Sequence, residues 1–190
     1  MKEVELSLTN KCQWHCDYCV ADIHNQPLRK YKDVLEDARN ILPKTEVTFS
    51  GGEPGLLKRE QIKELISILE EKNCPIDLLT NGLFIKRFPD LLKHFGKVHY
   101  HCVEYIGDDI EFPNRDDVIY CVVVEDKNLL DGSLIKMINR YPHIKFLTLF
   151  DVRNQHKINL NNMKKFVNEY KDKIHPTALD EFITVVSRWH

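Results

Sequence analysis

Three cysteines fall within eight positions of the segment TNKCQWHCDYC, with Cys12, Cys16 and Cys19 separated by three residues and then by two. Thiolates are soft ligands that suit zinc and iron–sulfur clusters, and two short spacers let one loop wrap a single metal centre. Three ligands leave one position open. A cubane cluster held by three cysteines keeps one iron available, whereas a structural zinc site takes four protein ligands in a closed shell. His15, between Trp14 and Cys16, is awkwardly placed as a fourth ligand. Structural zinc and free thiols are the plain alternatives. Cys74, Cys102 and Cys121 are isolated.

Two more short runs could do chemistry. In SGGEPG, Gly51 and Gly52 let backbone approach a ligand, their carbonyls can accept hydrogen bonds from an ammonium, and Glu53 brings negative charge; Pro54 follows. In TNG, Thr80, Asn81 and Gly82 read equally well as an Asn-Gly turn.

The elements that must position these runs alternate strand and helix. EVELSL sets Val4, Leu6 and Leu8 against polar residues and predicts a strand ending at the cysteines. Tyr31, Val34, Leu35, Ala38, Ile41 and Leu42 predict a helix closed by Pro43. EVTFS is the second strand, and Ile62, Leu65, Ile66 and Leu69 mark the second helix. IDLLT is the third strand, and Phe88, Leu91, Leu92 and Phe95 predict a third helix before the strand KVHYHCVEY. The acidic, aperiodic IGDDIEFPNRDD that follows predicts no fourth helix. VIYCVVV, a helix around Leu134, Ile135, Ile138 and Tyr141, IKFLTLF, and a helix carrying Met163, Phe166, Val167 and Tyr170 complete the series. The tail DEFITVVSRWH fits an edge strand or a short helix.

This alternation predicts an α/β fold of parallel strands joined by right-handed crossovers. Six units of roughly 30 residues fit the chain, and a full eight-unit barrel takes about 250. A partial (β/α)6 barrel or a doubly wound sheet remains, with residues 1–190 as one domain. In either, reactive groups belong at the carboxyl ends of the strands. The cysteine loop, SGGEPG and TNG follow strands one, two and three, so all three meet at one rim.

With 190 residues, 43% of them hydrophobic and 29% charged, the chain has the make-up of a globular domain able to bury a core. Its net charge is −2 and its 27 basic residues are dispersed, which gives no strong nucleic-acid signal. MKEVELSLTN has no unbroken apolar stretch, so a cytoplasmic protein with no membrane partner is expected. There, clustered cysteines point to metal or redox chemistry rather than disulfides.

Cys12, Cys16, Tyr18 and Cys19 resemble the CxxxCxxC signature of the radical SAM superfamily, with its aromatic residue before the last cysteine. Gly51, Gly52, Glu53 and Pro54 resemble that family's motif for the methionine amino group, and Thr80 and Asn81 a third-strand ending seen in many members. The resemblance implies a partial (β/α)6 barrel and a [4Fe-4S] cluster on the three cysteines. The free iron would be chelated by S-adenosylmethionine (SAM), with Tyr18 near its adenine. On the fourth strand, alternation puts Tyr100, Cys102 and Glu104 on the face where relatives keep a small polar ribose contact, which makes Cys102 and Glu104 cofactor candidates. A buried core cysteine is the plainer reading of Cys102. His99 and His101 take the opposite face, away from a metal role. Asp151, Arg153 and Gln155 follow the sixth strand and could touch substrate or cofactor. The family's glycine-containing fifth-strand motif is missing from VIYCVVVEDKN, and no cysteine follows Cys121, so a core without an auxiliary-cluster domain is expected.

The activity implied is reductive cleavage of SAM to a 5′-deoxyadenosyl radical that abstracts hydrogen from a substrate. An external one-electron donor such as flavodoxin or ferredoxin would be the partner. The substrate expected first is a peptide or protein such as a glycyl-radical enzyme, and next a nucleotide or other small molecule. Relatives making 7-deazaguanine precursors carry Asp-Thr after the third cysteine, where this chain has Val20 and Ala21. From another class, a non-catalytic metal or electron-transfer module would need a closed four-ligand site.

Overall fold

A computed structural model describes residues 2–16, 19, 25–101, 118–124, 126–140, 146–150 and 159–174. The alternating segment at the start of the chain forms β1 (Glu3–Thr9), where Leu6 and Leu8 are buried and Val4 stays 40% exposed. β2 (Glu46–Gly51), β3 (Ile76–Thr80) and β4 (Val98–His101) follow in chain order, each parallel to its predecessor, with Leu6 opposite Phe49 and Phe49 opposite Leu78. β5 (Val118–Val124) and β6 (Phe146–Phe150) also pair in parallel. Parallel neighbours need crossovers, and helices provide them.

Helix α1 (Tyr31–Asn40) buries Val34 and Ala38, and α2 (Arg59–Glu71) buries Ile62, Leu65, Ile66 and Leu69. Four such aliphatic side chains contribute roughly 1.5–3 kcal/mol apiece, which is what holds α2 down. Gln61 starts α2 by accepting the Lys58 N–H at 3.0 Å. Past its end, Lys72 Nζ donates to the carbonyls of Ala38, Arg39 and Ile41, placing a cation on the negative end of α1. Phe49, Phe84, Phe88 and Phe95 close the core through edge-on ring contacts, with centroids 5.3 to 5.7 Å apart.

The α/β alternation is as expected and is the one a partial (β/α)6 barrel requires. The third helix differs. It is the five-residue α3 (Leu83–Arg87), and the predicted stretch from Phe88 to Phe95 is a 3-10 turn over Pro89–His94. Pro89 disfavours helical backbone at Phe88, which lies at φ −136° and ψ 51°. The buried side chains of that stretch are those predicted, Phe88, Leu91, Leu92 and Phe95. Likewise α1 stops at Asn40; Ile41 is extended, and Leu42, at 60% exposure, is off the buried face.

After β5 come α4 (Asp126–Leu130), which the periodicity did not reveal, and α5 (Ser133–Arg140), whose Leu134 and Ile138 are buried. After β6 comes α6 (Leu160–Tyr170), burying Met163, Phe166 and Val167. Asn159 caps α6 by accepting from Asn161 N, and donates its own N–H to Asp126 Oδ2 at 2.9 Å. The predicted loss of a fourth helix at 106–117, Tyr141, and the tail from 180 lie outside the described residues. The chain divides into two compact units, one carrying β1 to β4 with α1 to α3, the other β6, α4 to α6 and most of β5. No helix of the described residues is long and apolar enough to cross a membrane.

Candidate functional site

The loops after β1, β2 and β3 are stitched together. Beyond Thr9 the first loop still runs beside the second, because Gly52 N donates to Thr9 O at 2.6 Å and Glu53 N to Lys11 O at 2.8 Å. Only glycines permit this approach. Gly51 sits at φ +102°, where a Cβ would meet Ser7 Oγ at 2.5 Å and Thr9 O at 2.6 Å; a Cβ on Gly52 would run into the Lys11 carbonyl. The loop so anchored carries Cys12, Cys16 and Cys19, all part-exposed, and Cys19 N donates to Cys16 O at 3.0 Å.

Glu53 is the centre of the arrangement. Its side chain is 0% exposed. Oε1 accepts from Gly55 N (2.7 Å), Thr80 Oγ1 (2.9 Å) and Phe84 N (3.2 Å), and Oε2 from Asn81 N (2.8 Å) and Thr80 Oγ1 (3.0 Å). Burial pushes this carboxyl up, and the donors from Asn81, Gly55, Thr80 and Phe84 pull the other way. The carboxylate is turned inward and fastens the second loop to the third and to the start of α3. Pro54 begins a 3-10 turn over Pro54–Leu56 in which Pro54 and Gly55 are buried, and Arg87 Nη1 reaches back to Gly55 O.

Thr80 is 2% exposed, and its hydroxyl also accepts from Gly82 N at 3.0 Å. That hydroxyl is engaged inside the protein rather than presented at the rim. Asn81 faces the cysteine loop: its Nδ2 lies 3.5 Å from Cys12 Sγ, and its Oδ1 accepts from Gln13 Nε2 at 2.9 Å. Gln13's part is not legible from local pattern, since 68 positions separate the two residues. Tyr100 is buried as expected, its ring against Gly82, and His99 and His101 are part-buried on β4. Tyr18, Cys102, Glu104, Asp151, Arg153 and Gln155 lie outside the described residues.

Burial raises the Cys12 thiol, the Trp14 N–H opposes it, and Glu53, Cys16 and Cys19 raise it further. Negative charge is thus disfavoured at this loop until a cation shares it, and binding of iron would release protons. Among the described residues no three His, Cys, Asp or Glu side chains converge on a single metal ion. A polynuclear cluster is wider than one ion and takes thiols set farther apart. By donor chemistry, Cys12, Cys16 and Cys19 suit a [4Fe-4S] cluster with one iron left for another ligand.

Known proteins agree on the family. The model of the Radical SAM superfamily matches residues 6–127, which include the cysteine loop, SGGEPG and TNG. A probable GTP 3',8-cyclase of Methanocaldococcus jannaschii is 30% identical over 103 residues, 50% of this chain and 34% of that protein. GTP 3',8-cyclases of Staphylococcus saprophyticus and Staphylococcus carnosus are each 24% identical over 207 and 208 residues, 97% of this chain and 55% of theirs. The chain spans about a third to just over half the length of these relatives. The matched region holds all three stitched loops, and the chain belongs to the radical SAM superfamily, with the [4Fe-4S] cluster and SAM as its cofactors.

Proposed function

We propose that residues 1–190 act as one radical SAM core that reductively cleaves SAM and abstracts hydrogen from a nucleotide-like small molecule. Held by Cys12, Cys16 and Cys19, such a cluster would supply the electron for reductive cleavage of SAM and so the radical chemistry that removes the substrate hydrogen. The chain's own part is to hold and orient. Cys12, Cys16 and Cys19 would ligate three irons. The N–H groups of Gly52 and Glu53 are engaged with β1's loop, so the glycine run would meet the methionine ammonium by its carbonyls. Glu53 fixes that run against Thr80 and Asn81, which would hold the glycine carbonyls in place for SAM. Tyr18, Cys102 and Glu104 would contact adenine and ribose, and a flavodoxin or ferredoxin would supply the electron.

The observation that carries the proposal is the convergence of the three motifs on one set of bonded loops within the matched region. For the substrate, the relatives' names favour a nucleotide, and no observation favours a peptide. The test is anaerobic turnover of the reconstituted protein with SAM and dithionite, with GTP, other purine nucleotides or candidate peptides added. Production of 5′-deoxyadenosine that rises with a nucleotide supports the proposal. A rise with peptides alone returns the substrate to the protein class, and none under any condition rejects the activity.

A further inference from the structure

We infer that Asn81 is a positioning residue whose side-chain N–H holds the Cys12 sulfur and raises the reduction potential of the cluster. The inference rests on the reading of Cys12 as a cluster ligand. The orientation of the Asn81 amide is fixed by its neighbours: Leu83 N, which can only donate, lies 3.3 Å from one terminal atom, so that atom is the oxygen. Gln13 Nε2 donates to the same oxygen at 2.9 Å. The other end is the NH2 group, 3.5 Å from Cys12 Sγ. Asn81 N is tied to buried Glu53 at 2.8 Å, so the side chain is carried on backbone anchored in the core.

Cys12 Sγ receives a second donor, Trp14 N, also at 3.5 Å. Trp14 belongs to the cysteine loop and moves with it, whereas Asn81 comes from the end of β3 and fixes the loop from outside. Donors to cluster sulfurs stabilise the extra negative charge of the reduced state, and hydrogen bonding to the sulfurs is among the terms that set such potentials. Removing the Asn81 donor therefore disfavours the reduced form while all three thiolates remain.

The test compares wild type with Asn81→Leu and Asn81→Ala, which remove the donor and add no charge that would itself move the potential. Each is reconstituted anaerobically and titrated by electron paramagnetic resonance. At the wild-type midpoint potential, both variants should show the reduced-to-oxidised ratio lowered threefold to tenfold, tenfold being 59 mV for one electron. If the leucine variant loses iron, the alanine variant supplies the potential. Variants loaded with four irons whose ratios stay within twofold of wild type overturn the inference. A wild-type chain that takes up no four-iron cluster instead overturns the reading of Cys12 as a ligand.

Discussion

Glu53→Gln separates a carboxylate that anchors loops from one that meets a ligand. Every neighbour of the Glu53 oxygens is a donor, three of them backbone N–H groups, and the side chain is 0% exposed. An amide can keep its oxygen toward Gly55 and Phe84, but its NH2 then faces the Asn81 N–H. One charge-assisted bond is lost, roughly 1.5–3 kcal/mol, and one buried donor is stranded, roughly 1–3 kcal/mol. Relief from burying a charge offsets part of this, leaving a net loss of about 2–4 kcal/mol. For a chain of this length that lowers the melting temperature by about 5–15 °C. The assay is thermal and urea unfolding of the iron-free protein under anaerobic conditions, followed by circular dichroism. A Glu53→Gln protein as stable as wild type but weaker in SAM binding would refute the reasoning and restore the ligand-facing role.

Other expectations follow from the same geometry. Cys16→Ala should abolish 5′-deoxyadenosine production under dithionite, while Cys74→Ala, a buried site whose Sγ lies near the Leu42 carbonyl, should leave it largely intact; equal behaviour would refute the ligand assignment. Gly52→Ala sets a methyl group against the Lys11 carbonyl, so the first two loops must part. About 1–3 kcal/mol of stability and most of the iron uptake should be lost, measured by unfolding and iron content. Burial, reinforced by nearby His99, holds His101 down to about 4, against about 6.5 in an unfolded chain. Its contribution is complete above pH ~6.5 and lost as pH falls toward 4, up to ~3 kcal/mol. Urea titrations across that range should show a slope that His101→Gln flattens.

What was legible in the sequence was local. CxxxCxxC, SGGEPG and the alternation of Leu6 and Leu8 are patterns within a few residues, and the structure puts them at the strand ends where parallel topology requires. The apolar residues from Phe88 to Phe95 are core, as their spacing predicts, but Pro89 makes the backbone a 3-10 turn, because periodicity reports burial more surely than hydrogen bonding. What was hidden was pairing across loops. That Glu53 turns inward, and that Asn81 bridges Gln13 and Cys12, depends on contacts between positions 27 to 69 apart. A carboxylate in a glycine-rich turn reads as solvent-facing until its donors are seen.

The central claim, a three-thiolate cluster with one iron open to SAM, is tested most directly by anaerobic reconstitution with iron and sulfide, iron counting, and electron paramagnetic resonance of the reduced protein. About four irons per chain are expected, as a [4Fe-4S] cluster holds, and a spectrum that changes when SAM is added. A colourless protein carrying one tetrahedral zinc, or a four-iron spectrum indifferent to SAM, would contradict it.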